Sequence, residues 1–152
     1  MAPLDKVQYT AKAHTVGSRD GGVSYSSDGR SDIKLSAPGP QGTGTNPEQL
    51  LAACWSTCFL TSINGIAERM KLRLPQDLAI DAEVDLCKNI GGFFIQARIN
   101  VSLPGVRPEL AQTLVEEADQ MCPYSKATRG NIAVAITVAT SPGNFNVAMR
   151  PS

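Results

Sequence analysis

Asn46-Pro47-Glu48-Gln49-Leu50-Leu51-Ala52-Ala53-Cys54-Trp55-Ser56-Thr57-Cys58-Phe59-Leu60, running on to Met70, is the stretch on which the fold of this chain turns. Asn46 is a good N-cap, because its side-chain oxygen can accept a free backbone N–H of the first turn. Pro47 falls at the first helical position, where a missing N–H costs nothing. Glu48 brings a carboxylate to the positive end of the helix dipole. From Leu50 to Ala67 there is no charged residue, and a helix apolar on nearly all sides is a buried helix. Cys54 and Cys58, four residues apart, share one face of it. The uncharged run is long enough to span a membrane. However, it holds Ser56, Thr57, Thr61, Ser62, Asn64 and Gly65, and no second such run exists, so a core helix is expected.

On the N-terminal side, residues 4 to 16 alternate, with Val7, Tyr9, Ala11 and Ala13 set against Lys6, Gln8, Lys12 and His14. Period two predicts a half-buried strand. Gly17 to Gly22 is a turn with Arg19 at its tip, and Val23 to Ser27 completes a hairpin. Asp28-Gly29 turns the chain again. Asp32 to Ser36 is a third strand, and Ala37 to Thr45, rich in Pro and Gly, is a loop. On the C-terminal side Pro75 stops the helix. Leu78 to Leu86, with Ile80, Ala82, Val84 and Leu86 on one side, pairs across Gly91-Gly92 with Phe93 to Leu103. In that second strand Ile95, Ala97, Ile99, Val101 and Leu103 face inward. Pro108 to Met121 keeps helical spacing, Leu110, Leu114, Ala118 and Met121 inward and Glu116, Glu117 and Asp119 toward water. Tyr124 to Asn131 reads as a loop and Ile132 to Val138 as a last strand. This order predicts an α+β fold, with largely antiparallel sheets around a long buried central helix. Residues 1–152 form a single domain in this reading. So apolar a helix needs more cover than one small sheet, and a dimer wrapping both central helices would supply it.

Charges balance, 14 basic against 14 acidic, so no basic face for nucleic acid is implied. The first ten residues lack the apolar core of a signal peptide, which predicts a cytoplasmic protein with reduced thiols. Four cysteines in that setting suggest redox or metal chemistry. Zinc would need four thiolates, or thiolates with the single His14. A C-x3-C pair with two distant partners does not fit a zinc site. Helical backbone does not suit a Cys54–Cys58 disulfide. Any partner for Cys58 therefore lies elsewhere, and Cys122, ending a helix beside Pro123, is the best candidate, exposed and able to move. Cys87 has only Lys88 for context. Free cysteines commonly do no more than pack. Arg19 and Glu48, taken singly, read as a solvated hairpin arginine and a helix-start carboxylate. A reactive Cys58 would need a positive neighbour, because burial alone raises a thiol pKa. Arg19 could supply it and Glu48 could pair with Arg19, though no spacing brings the three together.

Two segments, Asn46 to Phe59 and Met121-Cys122-Pro123-Tyr124-Ser125-Lys126-Ala127-Thr128-Arg129-Gly130-Asn131, resemble the cysteine segments of the OsmC/Ohr family. The strands around Tyr9 and from Ser26 to Leu35 resemble that family too. The second segment favours its organic hydroperoxide resistance (Ohr) branch. The resemblance implies an intertwined homodimer with its active sites at the subunit interface. It implies that Cys58 attacks a peroxide and becomes a sulfenic acid, and that Cys122 condenses with it in a Cys58–Cys122 disulfide. Arg19 would hold Cys58 as thiolate and orient the peroxide, and Glu48 would hold Arg19. Organic, fatty-acid-type hydroperoxides would be the substrates and dihydrolipoyl groups on proteins the reductant, with no metal, haem or flavin. The chain departs from the family at Cys54, usually a small residue, and at Trp55-Ser56-Thr57, usually Ala-rich. Cys54 reads here as a space filler. The alternatives are an OsmC-type peroxidase of broader specificity, and a non-catalytic redox sensor or small-molecule binding protein on the same fold.

Overall fold

The computed structural model describes residues 6–141 and the backbone of a further strand at 145–149. The chain divides into two compact units, Met1–Pro47 and Glu48–Ser152. In the first, β1 (Ala13–Val16), β2 (Val23–Ser26) and β3 (Asp32–Lys34) form an antiparallel sheet in that order. Val16 pairs with Val23, leaving Gly17 to Gly22 as the connecting turn. The turn closes through the Gly22 N–H donating to Ser18 O at 3.0 Å and the Gly21 N–H donating to Leu35 O at 3.0 Å. Asp28 caps the next turn, its Oδ1 accepting from Ser26 Oγ at 2.6 Å and from the Arg30 N–H at 3.0 Å. The expected first strand is shorter than its alternation suggests, and all of β1 is exposed. It is an edge strand, and residues 6 to 12 form no strand, although Lys12 O accepts from the Ser27 N–H at 3.1 Å; residues 4 and 5 lie outside the described residues.

The second unit is built on α1 (Pro47–Arg69), β4 (Ala79–Asn89), β5 (Gly92–Ser102), α2 (Pro108–Met121), α3 (Pro123–Thr128), β6 (Val134–Ala139) and β7 (Phe145–Met149). The sheet order is β4-β5-β6-β7. β4 and β5 pair antiparallel, Asn89 opposite Gly92, so the reversal is the two-residue turn Ile90-Gly91. β5 and β6 run parallel, joined through α2 and α3, and β7 returns antiparallel to β6. The core is one cluster: Trp55, Phe59, Ile63 and Ile66 of α1; Ala97, Ile99 and Val101 of β5; Leu114, Val115 and Ala118 of α2; Val134, Ile136 and Val138 of β6. The α+β class, the antiparallel sheets and the long helix hold.

Three expectations change. α1 is not buried on all sides, because Ala53, Cys54, Thr57, Thr61 and Asn64 are exposed. Its uncharged run is not all apolar. Thr57 Oγ1 donates to Ala53 O at 2.8 Å and Thr61 Oγ1 to Thr57 O at 2.9 Å, so these hydroxyls satisfy themselves on the helix's own carbonyls. α1 is long and apolar enough by composition to cross a membrane, yet its apolar face is part of the core. Second, Leu86 is exposed although Ile80, Ala82 and Val84 on the same side are half-buried, because those three pack against the core cluster and Leu86 lies beyond it. Third, most of the loop expected after Cys122 is the helix α3, and β7 was not expected at all.

Candidate active site

Pro123 sets the local geometry. A residue before proline is pushed out of the helical region, and Cys122 accordingly takes φ −63, ψ 122 between two helices. It remains hydrogen-bonded to both: its N–H donates to Ala118 O at 2.8 Å and its carbonyl accepts from the Lys126 N–H at 2.9 Å. The one-residue break turns its side chain into the core, where Cys122 is fully buried. The expectation of an exposed, mobile Cys122 is therefore corrected: the two helices and α1 enclose it.

Cys58, half-buried on α1, meets it there. The Cys122 thiol donates toward the Cys58 sulfur with the two Sγ atoms 3.1 Å apart, and both are free thiols. That is about 1 Å longer than a disulfide bond. The Tyr124 backbone N–H also bonds the Cys58 sulfur. Burial pushes the Cys58 thiol above the ordinary range and the adjacent Cys122 adds to the rise, while the Tyr124 N–H works the other way. Cys54 is exposed and hydrogen-bonded with the Tyr124 side chain, so it does not fill space in the core. Burial, with Cys54 next, raises the Tyr124 phenol. Cys87 stands on β4 opposite Phe94.

Of the four sequence-derived site residues, the structure brings Cys58 and Cys122 together. Glu48 stands in the first turn of α1, half-buried. Arg19 stands in the β1–β2 turn of the first unit.

Residues that sequence reasoning passed over support Cys122. Trp55 Nε1 donates to Ser125 Oγ at 3.1 Å, both fully buried. Arg129 Nη2 donates to Asp119 O at 2.7 Å and to Asp119 Oδ2 at 3.1 Å. Asp119 is buried, against the expectation that it faces water. The signal was available: Asp119 lies four residues after Val115 and three before Cys122, on the buried stripe. Among the described residues no group of three or more His, Cys, Asp or Glu is placed to hold a metal ion.

Comparison with known proteins agrees with this architecture. Residues 39–137, which include both Cys58 and Cys122, match the OsmC-like protein family. An organic hydroperoxide resistance protein of Xanthomonas axonopodis pv. citri is 46% identical over 143 residues, covering 91% of this chain and 100% of that protein. The crystal structure of the organic hydroperoxide resistance protein OhrB of Bacillus subtilis superimposes with a TM-score of 0.81 at 37% identity, covering 88% of this chain and 100% of that one. A Vibrio cholerae structure, described as a putative organic hydroperoxide resistance protein with captopril bound in one of its active sites, gives 0.83 at 33% identity over 96% and 100%. With that identity sustained along nearly the whole length, the chain belongs to the OsmC/Ohr family, on its organic hydroperoxide resistance branch.

Proposed function

We propose that the protein is a thiol peroxidase that reduces organic hydroperoxides to alcohols in a reducing cytoplasm. The observation that carries this reading is the Cys58–Cys122 thiol pair, 3.1 Å apart and reduced. The Cys58 thiolate attacks the distal peroxide oxygen. The O–O bond breaks, the alkoxide takes a proton and leaves as alcohol, and Cys58 becomes a sulfenic acid. The Cys122 thiol then attacks that sulfur, water leaves, and a disulfide forms. A dithiol, of the dihydrolipoyl kind, returns the pair to two thiols by exchange and is itself oxidised.

Burial and Cys122 both disfavour the Cys58 thiolate, so the reaction needs a positive charge. Arg19 is assigned that role by its place in the family pattern, and Glu48 the role of holding Arg19. Leu51, half-buried near Cys58 along α1, gives an apolar contact suited to an organic tail, while Trp55 and Phe59 are sealed in the core. The working unit is a homodimer. Its support is apolar and uncharged surface left open by the single chain: Val16, Val23 and Tyr25 in the first unit, and Ile90, Phe93 and Phe94 at the β4–β5 end.

The test is a non-reducing peptide map after one equivalent of cumene hydroperoxide, with dihydrolipoamide-dependent turnover followed in parallel. The expected result is a Cys58–Cys122 disulfide formed before any other, with turnover. A disulfide without turnover supports a redox sensor instead, and slow, scattered thiol loss supports a binding protein.

A further inference from the structure

Cys122 is one extended residue between two helices, and such a corner holds its angle only if something closes it. The structure supplies a closure. Asp119 is in the last turn of α2, three residues before Cys122, and Arg129 follows α3 directly, seven residues after it. The Arg129 guanidinium reaches back across the corner to the Asp119 carbonyl at 2.7 Å and its carboxylate at 3.1 Å. The carboxylate is almost fully buried, where a charge-assisted bond is strong and removal of one partner is costly. The same short helix is tied to α1 by the Trp55–Ser125 bond, three residues from Cys58. We propose that Asp119 and Arg129 are positioning residues, which clamp the α2–α3 corner so that the Cys122 thiol and the Tyr124 N–H both stay on the Cys58 sulfur.

Neither residue touches the reacting sulfurs. They act through Cys122. The clamp raises the effective concentration of one thiol at the other, and so favours disulfide formation over further oxidation of Cys58. It rests on the peroxidase reading only for the second of these consequences. Both bonds leave the single nitrogen Nη2, so the clamp needs a cation with two hydrogens to give at that point, which a lysine ammonium supplies in part.

Effective thiol concentration is therefore measured first, without peroxide, in glutathione redox buffers of graded ratio. For Arg129→Met the Cys58–Cys122 effective concentration is expected to fall about tenfold or more. Arg129→Lys restores part of the loss. Asp119→Asn, which keeps an acceptor on the side chain and the backbone carbonyl, loses less than Arg129→Met. A core variant of comparable stability loss, Val138→Ala, separates positioning from general weakening and is expected to keep the wild-type value. A wild-type value in Arg129→Met, or an equal fall in Val138→Ala, overturns the clamp. In a second arm each protein meets excess cumene hydroperoxide. Arg129→Lys is expected to accumulate more Cys58 sulfinic acid per turnover than wild type. If wild type forms its disulfide in glutathione buffer but not with hydroperoxide, the peroxidase reading fails while the clamp stands.

Discussion

At the scale of single residues, Cys58 and Cys122 have unequal surroundings, and the proposed cycle gives them unequal tasks. Cys58 is half-buried and reachable, whereas Cys122 is sealed. Cys58→Ser is expected to abolish hydroperoxide reduction. Cys122→Ser is expected to permit one oxidation per chain, then stop turnover by the disulfide route, as read by intact mass after one equivalent of hydroperoxide. Full dithiol-driven turnover in Cys122→Ser would remove the resolving role. The sequence placed Cys58 on the long helix and in a segment that resembles a known one, and the structure sets it against Cys122. Burial of Cys122 was not legible. It follows from ψ at one residue, and Pro123 was read as a helix stop rather than as a hinge aiming the thiol inward. Cys54 was misread for a related reason: helical spacing shows which residues share a face but not that Tyr124 bonds the thiol there.

At the scale of elements, one turn and one ribbon can be tested without changing a thiol. A Cβ at Gly22 would collide with backbone atoms of Ser18 and Val16, so the turn carrying Arg19 would have to open. Gly22→Ala is expected to cut hydroperoxide turnover about tenfold or more, through lost orientation of Arg19. It leaves disulfide formation in glutathione buffer at the wild-type level, since both thiols belong to the second unit. On the β4–β5 ribbon, Arg98 binds Asp85 through two bonds of 2.7 and 2.8 Å and Glu83 at 2.8 Å. Arg98, with Gln96 next, holds the Asp85 carboxyl well below the usual carboxylate range. A carboxylate with a depressed folded pKa adds stability that is complete above its unfolded pKa, about 4, and fades as pH falls through the folded value. Asp85→Asn is therefore expected to lower the urea midpoint at neutral pH, with the gap to wild type closing in acid; a gap constant with pH would refute the linkage. β4, β5 and α2 were legible because period two and period 3.6 run for whole elements, as at Ile95 to Leu103. α3 was not, because six residues that begin at a proline carry too little of either period.

At the scale of the whole molecule, the single chain leaves aromatic and aliphatic side chains in water, Tyr25, Ile90, Phe93 and Phe94 among them. Light scattering is expected to give the dimer mass, and Phe93→Lys with Phe94→Lys to shift it toward monomer with loss of activity. A monomeric wild type with full turnover would refute the assembly. The α+β arrangement was legible from element order, but the parallel pairing of β5 with β6 was not, since partners in a sheet are set by crossover rather than by local pattern. That crossover also fixes a sequence in time. Cys122 follows Cys58 by 64 residues, and at ribosomal speed the interval is on the order of 3–13 s. Until α2 and α3 have been made and docked, a growing chain carries the first thiol without the second. Under peroxide stress the irreversible sulfinic form is therefore expected in molecules caught during translation, and pulse-labelled nascent protein is where mass spectrometry would find it.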